Sequence, residues 1–204
     1  LTLPQTVRIG KIRDETRTIR TFVLDAEIPK AEPGQFIMLW LPGVDEKPMS
    51  IACPTPLTIT VARVGPFSTA LYQRKEGDQV GWRGPYGRAF SLSLLNQDQQ
   101  ALLVSGGYGV GPLYFLARQA VEHGIPTTVA LGARTSLDLP YIEQFRALNV
   151  DLILATDDGS LGHRGYVTDA ISPLATRHSP FAIYACGPEP MLVAIHRLCR
   201  EHDI

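Results

Sequence analysis

The chain has 204 residues, 45% hydrophobic and 19% charged, with a formal net charge of −1. This is the balance of a globular protein with room for one large core or two small ones, and its charge gives no argument for nucleic acid or a membrane surface as partner. No apolar run reaches bilayer length, the N-terminus from Leu1 lacks a secretory layout, and the three scattered cysteines (Cys53, Cys186, Cys199) form neither a disulfide framework nor a four-ligand metal cluster, so a reducing cytoplasm is the expected compartment.

Residues 1–98 read as short strands. Thr6–Lys11 and Thr18–Leu24 carry β-branched residues, Phe36–Leu41 is an apolar run after the turn Pro33-Gly34, and Leu57–Val64 contains Thr58-Ile59-Thr60-Val61. Pro and Gly punctuate the stretch at Pro42-Gly43, Gly65-Pro66 and Gly84-Pro85, which predicts an antiparallel β-barrel, with one short helix over Thr69–Lys75. Lys47-Pro48-Met49-Ser50 precedes a strand and offers a cation, a rigid proline and a hydroxyl. Gly65-Pro66-Phe67-Ser68-Thr69 is a turn entering a helix start. Either could hold a phosphate, and each by itself is equally a turn or an N-cap.

The polar segment 96–100 marks a hinge, and residues 99–204 change rhythm. Strands are predicted at Ala101–Ser105, Thr127–Leu131, Asp151–Ala155 and Phe181–Cys186. Helices are predicted at Leu113–His123, Tyr141–Leu148, Val167–Ala175 and Pro190–Glu201. The alternation means βαβ units and a parallel α/β sheet.

Ser105-Gly106-Gly107-Tyr108-Gly109-Val110-Gly111-Pro112 sits between a predicted strand and helix. Glycines let backbone approach a pyrophosphate, and N–H groups at the helix start face the anion, with Pro112 fitting the first helical position. The spacing is not G-x-G-x-x-G, because Pro112 stands where the last glycine would fall. Ala185-Cys186-Gly187-Pro188-Glu189-Pro190-Met191 follows the last strand and so reaches the same carboxyl edge, where ligands of such sheets bind. Cys186 is equally readable there as a buried structural thiol. Arg134 ends the second parallel strand, facing adenine or a 2′-phosphate. Asp157-Asp158-Gly159 ends the third, facing a ribose. Both are equally readable as solvated edge residues. His163 and Arg164 read as surface residues of a Gly-rich loop.

These motifs, in this order and with Gly84-Pro85-Tyr86-Gly87 between them, resemble the ferredoxin–NADP reductase superfamily along nearly the whole chain. Within it, Thr156-Asp157-Asp158-Gly159-Ser160, Gly165-Tyr166-Val167-Thr168-Asp169 and the Cys186-Gly187-Pro188 turn are most similar to the electron-transfer subunits of NAD-dependent dihydroorotate dehydrogenases of pyrimidine biosynthesis.

The resemblance implies an FAD-binding barrel (1–98) followed by an NAD(P)-binding α/β domain (99–204). It places Ser50 beside flavin N5, Lys47 on the flavin phosphates where an arginine is usual, and Gly65, Ser68 and Thr69 around the FAD pyrophosphate. Pro48, Met49, Gly84 and Gly87 belong to the same flavin site. Gly106, Gly107, Gly109, Gly111 and Pro112 would receive the dinucleotide, with Arg134 and Asp157 at its far end. Cys186, Gly187 and Pro188 would border the nicotinamide. Ser50 and Cys186 are the expected catalytic pair, and hydride passes between NAD(H) or NADP(H) and FAD.

The subgroup carries a cysteine-rich segment for a [2Fe–2S] cluster just beyond the Cys-Gly-Pro helix, about where this chain stops. The cluster is expected only with that segment, and the expectation leans to its being missing from the chain given. The expected partner is a catalytic subunit or a ferredoxin-like acceptor in a hetero-oligomer. The alternatives are a ferredoxin or flavodoxin reductase, the reductase subunit of a hydrogenase or bifurcating transhydrogenase, and a non-enzymatic dinucleotide-sensing module.

Overall fold

The computed structural model describes residues 3–92, 95, 99–175 and 181–204. The chain divides into two units, Leu1–Phe90 and Ser91–Ile204. The expected division is at 98–99, where residues 96–98 lie outside the described ones; the two units part between Phe90 and Ser91.

Period-two alternation builds the first unit. Its elements are β1 (Gln5–Asp14), β2 (Ile19–Leu24), β3 (Phe36–Leu41), β4 (Asp45–Pro54), β5 (Leu57–Ala62), α1 (Pro66–Tyr72) and β6 (Gln79–Tyr86). The strands close into an antiparallel barrel in the order β1-β2-β5-β4-β3-β6. In β3, Ile37, Leu39 and Leu41 are fully buried, while Phe36, Met38 and Trp40 point outward. Ile9, Phe22, Leu24, Ile51, Leu57 and Ile59 fill the interior with them.

Tyr72 closes one side of the barrel. Its hydroxyl meets the carbonyls of Thr18 and Val61 at 2.6 and 2.9 Å, the Arg20 guanidinium lies 4.7 Å from its ring, and burial pushes its pKa up to about 12.

Two expectations for this half are corrected. The helix starts at Pro66 rather than Thr69, because Gly65 is extended, Pro66 opens the helix, and the Ser68 side chain closes a capping arrangement on the Gly65 backbone. Lys47–Ser50 does not precede a strand but lies inside β4.

In the second unit, five strands order as β10-β9-β8-β7-β11. These are β7 (Gln100–Gly106), β8 (Thr127–Ala133), β9 (Asp151–Thr156), the two-residue β10 (His163–Arg164) and β11 (Phe181–Cys186), all parallel where paired. The helices are α2 (Val110–Glu122), α3 (Ile142–Ala147), α4 (Val167–Ile171) and α5 (Glu189–His202). Leu102, Val104, Ala130, Ala155 and Phe181 pack with Val167 and Ile171 of α4 and Ile195 of α5 on one face. The buried stripe Leu113, Leu116, Ala117 and Ala120 of α2 covers the other.

The helix expected over Val167–Ala175 stops at Ile171. Pro173 withholds an N–H, and the chain continues as a 3-10 turn, Ser172–Leu174. His163 and Arg164, expected as loop residues, are exposed but pair with Ala155 and Thr156.

Candidate functional site

In the second unit the chain runs outward from β7 through β8 and β9, then returns to place β11 on the opposite flank of β7. That reversal falls between β7 and β11, at whose carboxyl ends open α/β sheets bind ligands in a crevice. The two expected loops meet there. Gly106–Pro112 leaves β7, and Cys186-Gly187-Pro188 leaves β11, with Ser105 and Cys186 paired in register.

The loops are interlocked backbone to backbone. A Cβ on Gly109 would lie 2.2 Å from the Cys186 carbonyl oxygen, one on Gly106 would lie 2.7 Å from Pro188 Cδ, and one on Gly187 would lie 2.6 Å from Met191 Cε. Gly107 is different: it adopts φ +56 with open space where a Cβ would stand. Two of the four glycines expected to admit a pyrophosphate, Gly106 and Gly109, are therefore also needed to let one loop cross the other, and Gly107 is left facing free volume.

The start of α2 is also shifted from expectation. The helix opens at Val110, so Pro112 is its third residue and not its first. It remains in the first turn, where an N–H has no intrahelical acceptor. Gly111 and Pro112 are buried. Tyr108, which the sequence reading passed over, projects from the loop 52% exposed. Burial pushes the Cys186 thiol pKa up, so it stays protonated at neutral pH.

The far end of the edge is built from β8 and β9. Asp157 and Asp158 donate backbone N–H bonds to the carbonyls of Ala133 and Arg134, which brings Arg134 and Asp157 side by side, both exposed. Asp158 organises the turn. Its Oδ1 accepts from Ser160 N–H at 2.9 Å and from Ser160 Oγ at 2.6 Å, and Ser160 Oγ accepts from Ser136 N–H at 2.8 Å. The Ser160 hydrogen bonds hold the Asp158 carboxyl below the usual carboxylate range. The Asp-x-Ser spacing was the available signal, since such side chains cap their own turns.

In the first unit the informative feature is an open half-strand. β4 pairs with β3 along Asp45–Ser50, but β5 reaches it only at Ile51, Cys53 and Pro54. Ile51 N–H donates to Gln35 O, so odd residues of β4 bond toward β3, and the backbones of Glu46, Pro48 and Ser50 face the unpaired side. Pro48 costs no ladder bond there. Ser50 is exposed and pairs across with Phe36, which pairs in turn with Tyr86, their rings 5.9 Å apart.

Lys47 and Met49 alternate to the opposite face from Pro48 and Ser50. Lys47 is exposed and pairs with Asp45 at 2.6 Å. Gly84 (φ +142) and Gly87 (φ +88) let the end of β6 cross Phe36: a Cβ on Gly87 would stand 3.0 Å from its ring. Arg83 and Glu46 form a bidentate pair at 2.7 and 2.5 Å that ties β6 to β4 across β3.

At the helix start the outcome is mixed. Thr69 is exposed, but the Ser68 hydroxyl is buried and already engaged: it lies 3.0 and 3.1 Å from the Val64 and Gly65 N–H groups and donates to Gly65 O. Gly65 has open space where a Cβ would stand. An FAD-type ligand fits this set: unpaired backbone for a flavin edge, Lys47 and Thr69 for phosphate, and free volume at Gly65.

A closed antiparallel barrel followed by a parallel sheet with its glycine loop at the reversal point is the architecture of ferredoxin–NADP reductase-type oxidoreductases. The family profile described as "Oxidoreductase NAD-binding domain" matches residues 103–197. The chain is 37% identical over 98% of its length, and 75% of the relative's, to a protein of Methanocaldococcus jannaschii named "Probable dihydroorotate dehydrogenase B (NAD(+)), electron transfer subunit". It is 41% identical to a Thermococcus kodakarensis protein of the same name, over 97% of this chain and 81% of that one.

Among solved structures, the NADH-dependent reduced ferredoxin-NADP oxidoreductase superposes with a TM-score of 0.82 at 28% identity, over 95% of this chain and 72% of that one. A cytochrome P450 reductase from Amycolatopsis shares the fold, with a TM-score of 0.82 at 22% identity, over 97% of this chain and 66% of that one. The chain belongs to the dihydroorotate dehydrogenase B electron transfer subunit family and is an oxidoreductase module. None of the described helices is long and apolar enough to cross a membrane.

Proposed function

We propose that this chain takes electrons from NADH or NADPH through FAD and passes them to a catalytic partner subunit that oxidises or reduces dihydroorotate. The observation that carries the nicotinamide half is the interlock of the Gly106–Gly109 loop with the Cys186–Pro188 turn at the reversal between β7 and β11. It shapes backbone, not side chains, around the crevice. The open half of β4 carries the flavin half.

Bound FAD supplies the step from a two-electron hydride donor to one-electron carriers. The chain's own part is position and exclusion of water. The Ser50 hydroxyl and its outward-facing N–H hydrogen-bond the flavin edge. Lys47 exchanges Asp45 for a phosphate, which costs little because an exposed ion pair holds weakly. Phosphate contact at the helix start falls to Thr69 and the Gly65 backbone, since the Ser68 hydroxyl is spent on the cap. Cys186 stays a neutral thiol and packs beside the nicotinamide, with no proton to give or take in hydride transfer.

No three His, Cys, Asp or Glu among the described residues are grouped to hold a metal, so a [2Fe–2S] cluster would need ligands other than such a group. A reducing cytoplasm suits a chain with three scattered cysteines.

The test is the visible spectrum of the full-length protein before and after anaerobic NADH. A flavin spectrum that bleaches supports the reading, and an iron–sulfur shoulder adds the cluster. A protein that neither carries nor takes up FAD overturns it. A second reading, a ferredoxin-linked NAD(P)H reductase, draws on the 28% identical oxidoreductase structure. Rapid reduction of ferredoxin by the isolated chain would favour it.

A further inference from the structure

We infer that Ser105 is a further binding residue of the dinucleotide site, its hydroxyl donating a hydrogen bond to the pyrophosphate when the glycine loop receives it. The inference rests on the dinucleotide reading above and deepens it.

Ser105 is 1% exposed, and its Oγ is buried with no hydrogen-bond partner among the described residues. Buried hydroxyls are ordinarily paired, and an unpaired one lowers stability that Ala at the same position would keep. Nothing in the packing calls for a hydroxyl: its in-register neighbours on β8 and β11 are Leu131 and Cys186.

Position supplies the reason. Ser105 is the last side chain of β7 before the glycine loop, on the strand flanking the reversal crevice. Strand alternation fixes its face. Leu102 and Val104 pack toward α4 and α5, so Ser105 points to the opposite face, the one α2 covers. The hydroxyl therefore lies beneath the start of α2, a helix of 13 residues whose first N–H groups have no intrahelical acceptor.

At this helix start the Val110 N–H is taken by Gly107 O and Pro112 has none, so the helix dipole and the rest of the turn, with the Ser105 hydroxyl below, are what an anion would use. Access runs past Gly107, which carries no side chain, while Gly106 is closed off by Pro188 and Met191. Gly107 stands in open space and can turn its peptide without a clash.

The experiment compares the flavin-loaded full-length protein with Ser105→Ala and Ser105→Thr. Calorimetric titration uses two probes: ADP-ribose, which carries the pyrophosphate, and nicotinamide mononucleotide, which does not. The expected result is an ADP-ribose affinity about tenfold weaker in Ser105→Ala, mostly recovered in Ser105→Thr, with nicotinamide mononucleotide affinity unchanged. The melting temperature of ligand-free Ser105→Ala should equal or exceed that of the parent, while its ADP-ribose-induced rise shrinks.

Equal ADP-ribose affinity in parent and Ser105→Ala overturns the inference and leaves the dinucleotide reading standing, the hydroxyl then being served by buried water. A parent that does not bind ADP-ribose overturns both.

Discussion

The carbonyl oxygen of Cys186 lies 2.2 Å from the point a Cβ on Gly109 would occupy, and the Gly187 nitrogen lies 2.9 Å from it. Both neighbours are main chain, so neither can turn aside as a flexible side chain would. Gly109→Ala must separate the two loops. The expected loss is about 3 kcal/mol of stability by denaturant unfolding, together with a raised KM for the nicotinamide substrate. A stable variant with unchanged KM would show that the loops need not touch.

Ser50 is placed on the unpaired side of β4 with its backbone facing outward. Ser50→Ala removes the hydroxyl and leaves the N–H. FAD content should be unchanged, while stopped-flow flavin reduction by NADH slows about tenfold. An unaltered reduction rate would remove Ser50 from the reacting edge.

Asp158 holds Ser160, which holds the Ser136 amide, so one carboxylate sets the turn that presents Arg134 and Asp157. Asp158→Asn should raise KM for the nicotinamide substrate about three- to tenfold with kcat nearly kept. Because the Asp158 pKa is lowered, the parent's KM should stay flat until the pH falls below the usual carboxylate range. A KM that climbs already at mildly acidic pH would contradict the assignment.

The Arg83–Glu46 pair gives a stability prediction with a defined sign. The Arg83 hydrogen bond holds the Glu46 pKa below its ordinary value. A depressed folded-state value means the contribution is complete above the ordinary glutamate pKa, about 4.3. It is lost as pH falls through the lower folded value. Thermal melts of the parent and Glu46→Gln should differ at neutral pH and converge in acid. Convergence at neutral pH instead would mean that the pair does not tie β6 to β4.

The second unit was legible because its strands are continuous apolar runs such as Ala101–Val104, and its loops are marked by glycine. The barrel was only half legible. β4 begins Asp45-Glu46-Lys47-Pro48, with neither alternation nor apolar content, because that half of the strand has no partner on one side. β6 is broken in sequence by Gly81, Gly84 and Pro85, each answering to a close crossing: a Cβ on Gly81 would strike Trp40, and one on Gly84 would meet Phe36 and Ile37.

At the site the motifs were legible, and the structure adds local contacts that spacing alone does not give: Gly106 and Gly109 lie tight against the Cys186–Pro188 turn, and the Ser68 hydroxyl bonds the Gly65 backbone, the cap that the turn also allowed. Ser105 carried no signal at all, since a serine at a strand end is common and only its burial without a partner distinguishes it.

The unpaired half of β4 has a meaning for the chain before any ligand arrives. Exposed strand backbone invites another chain to extend the sheet, the route to domain swapping and fibres. Here the edge offers Pro48, which has no N–H to give on that side, flanked by the Asp45–Lys47 charge pair. A second copy would meet a missing donor and fixed charges where it needs a ladder, so the rim left open for a ligand is closed to strand addition.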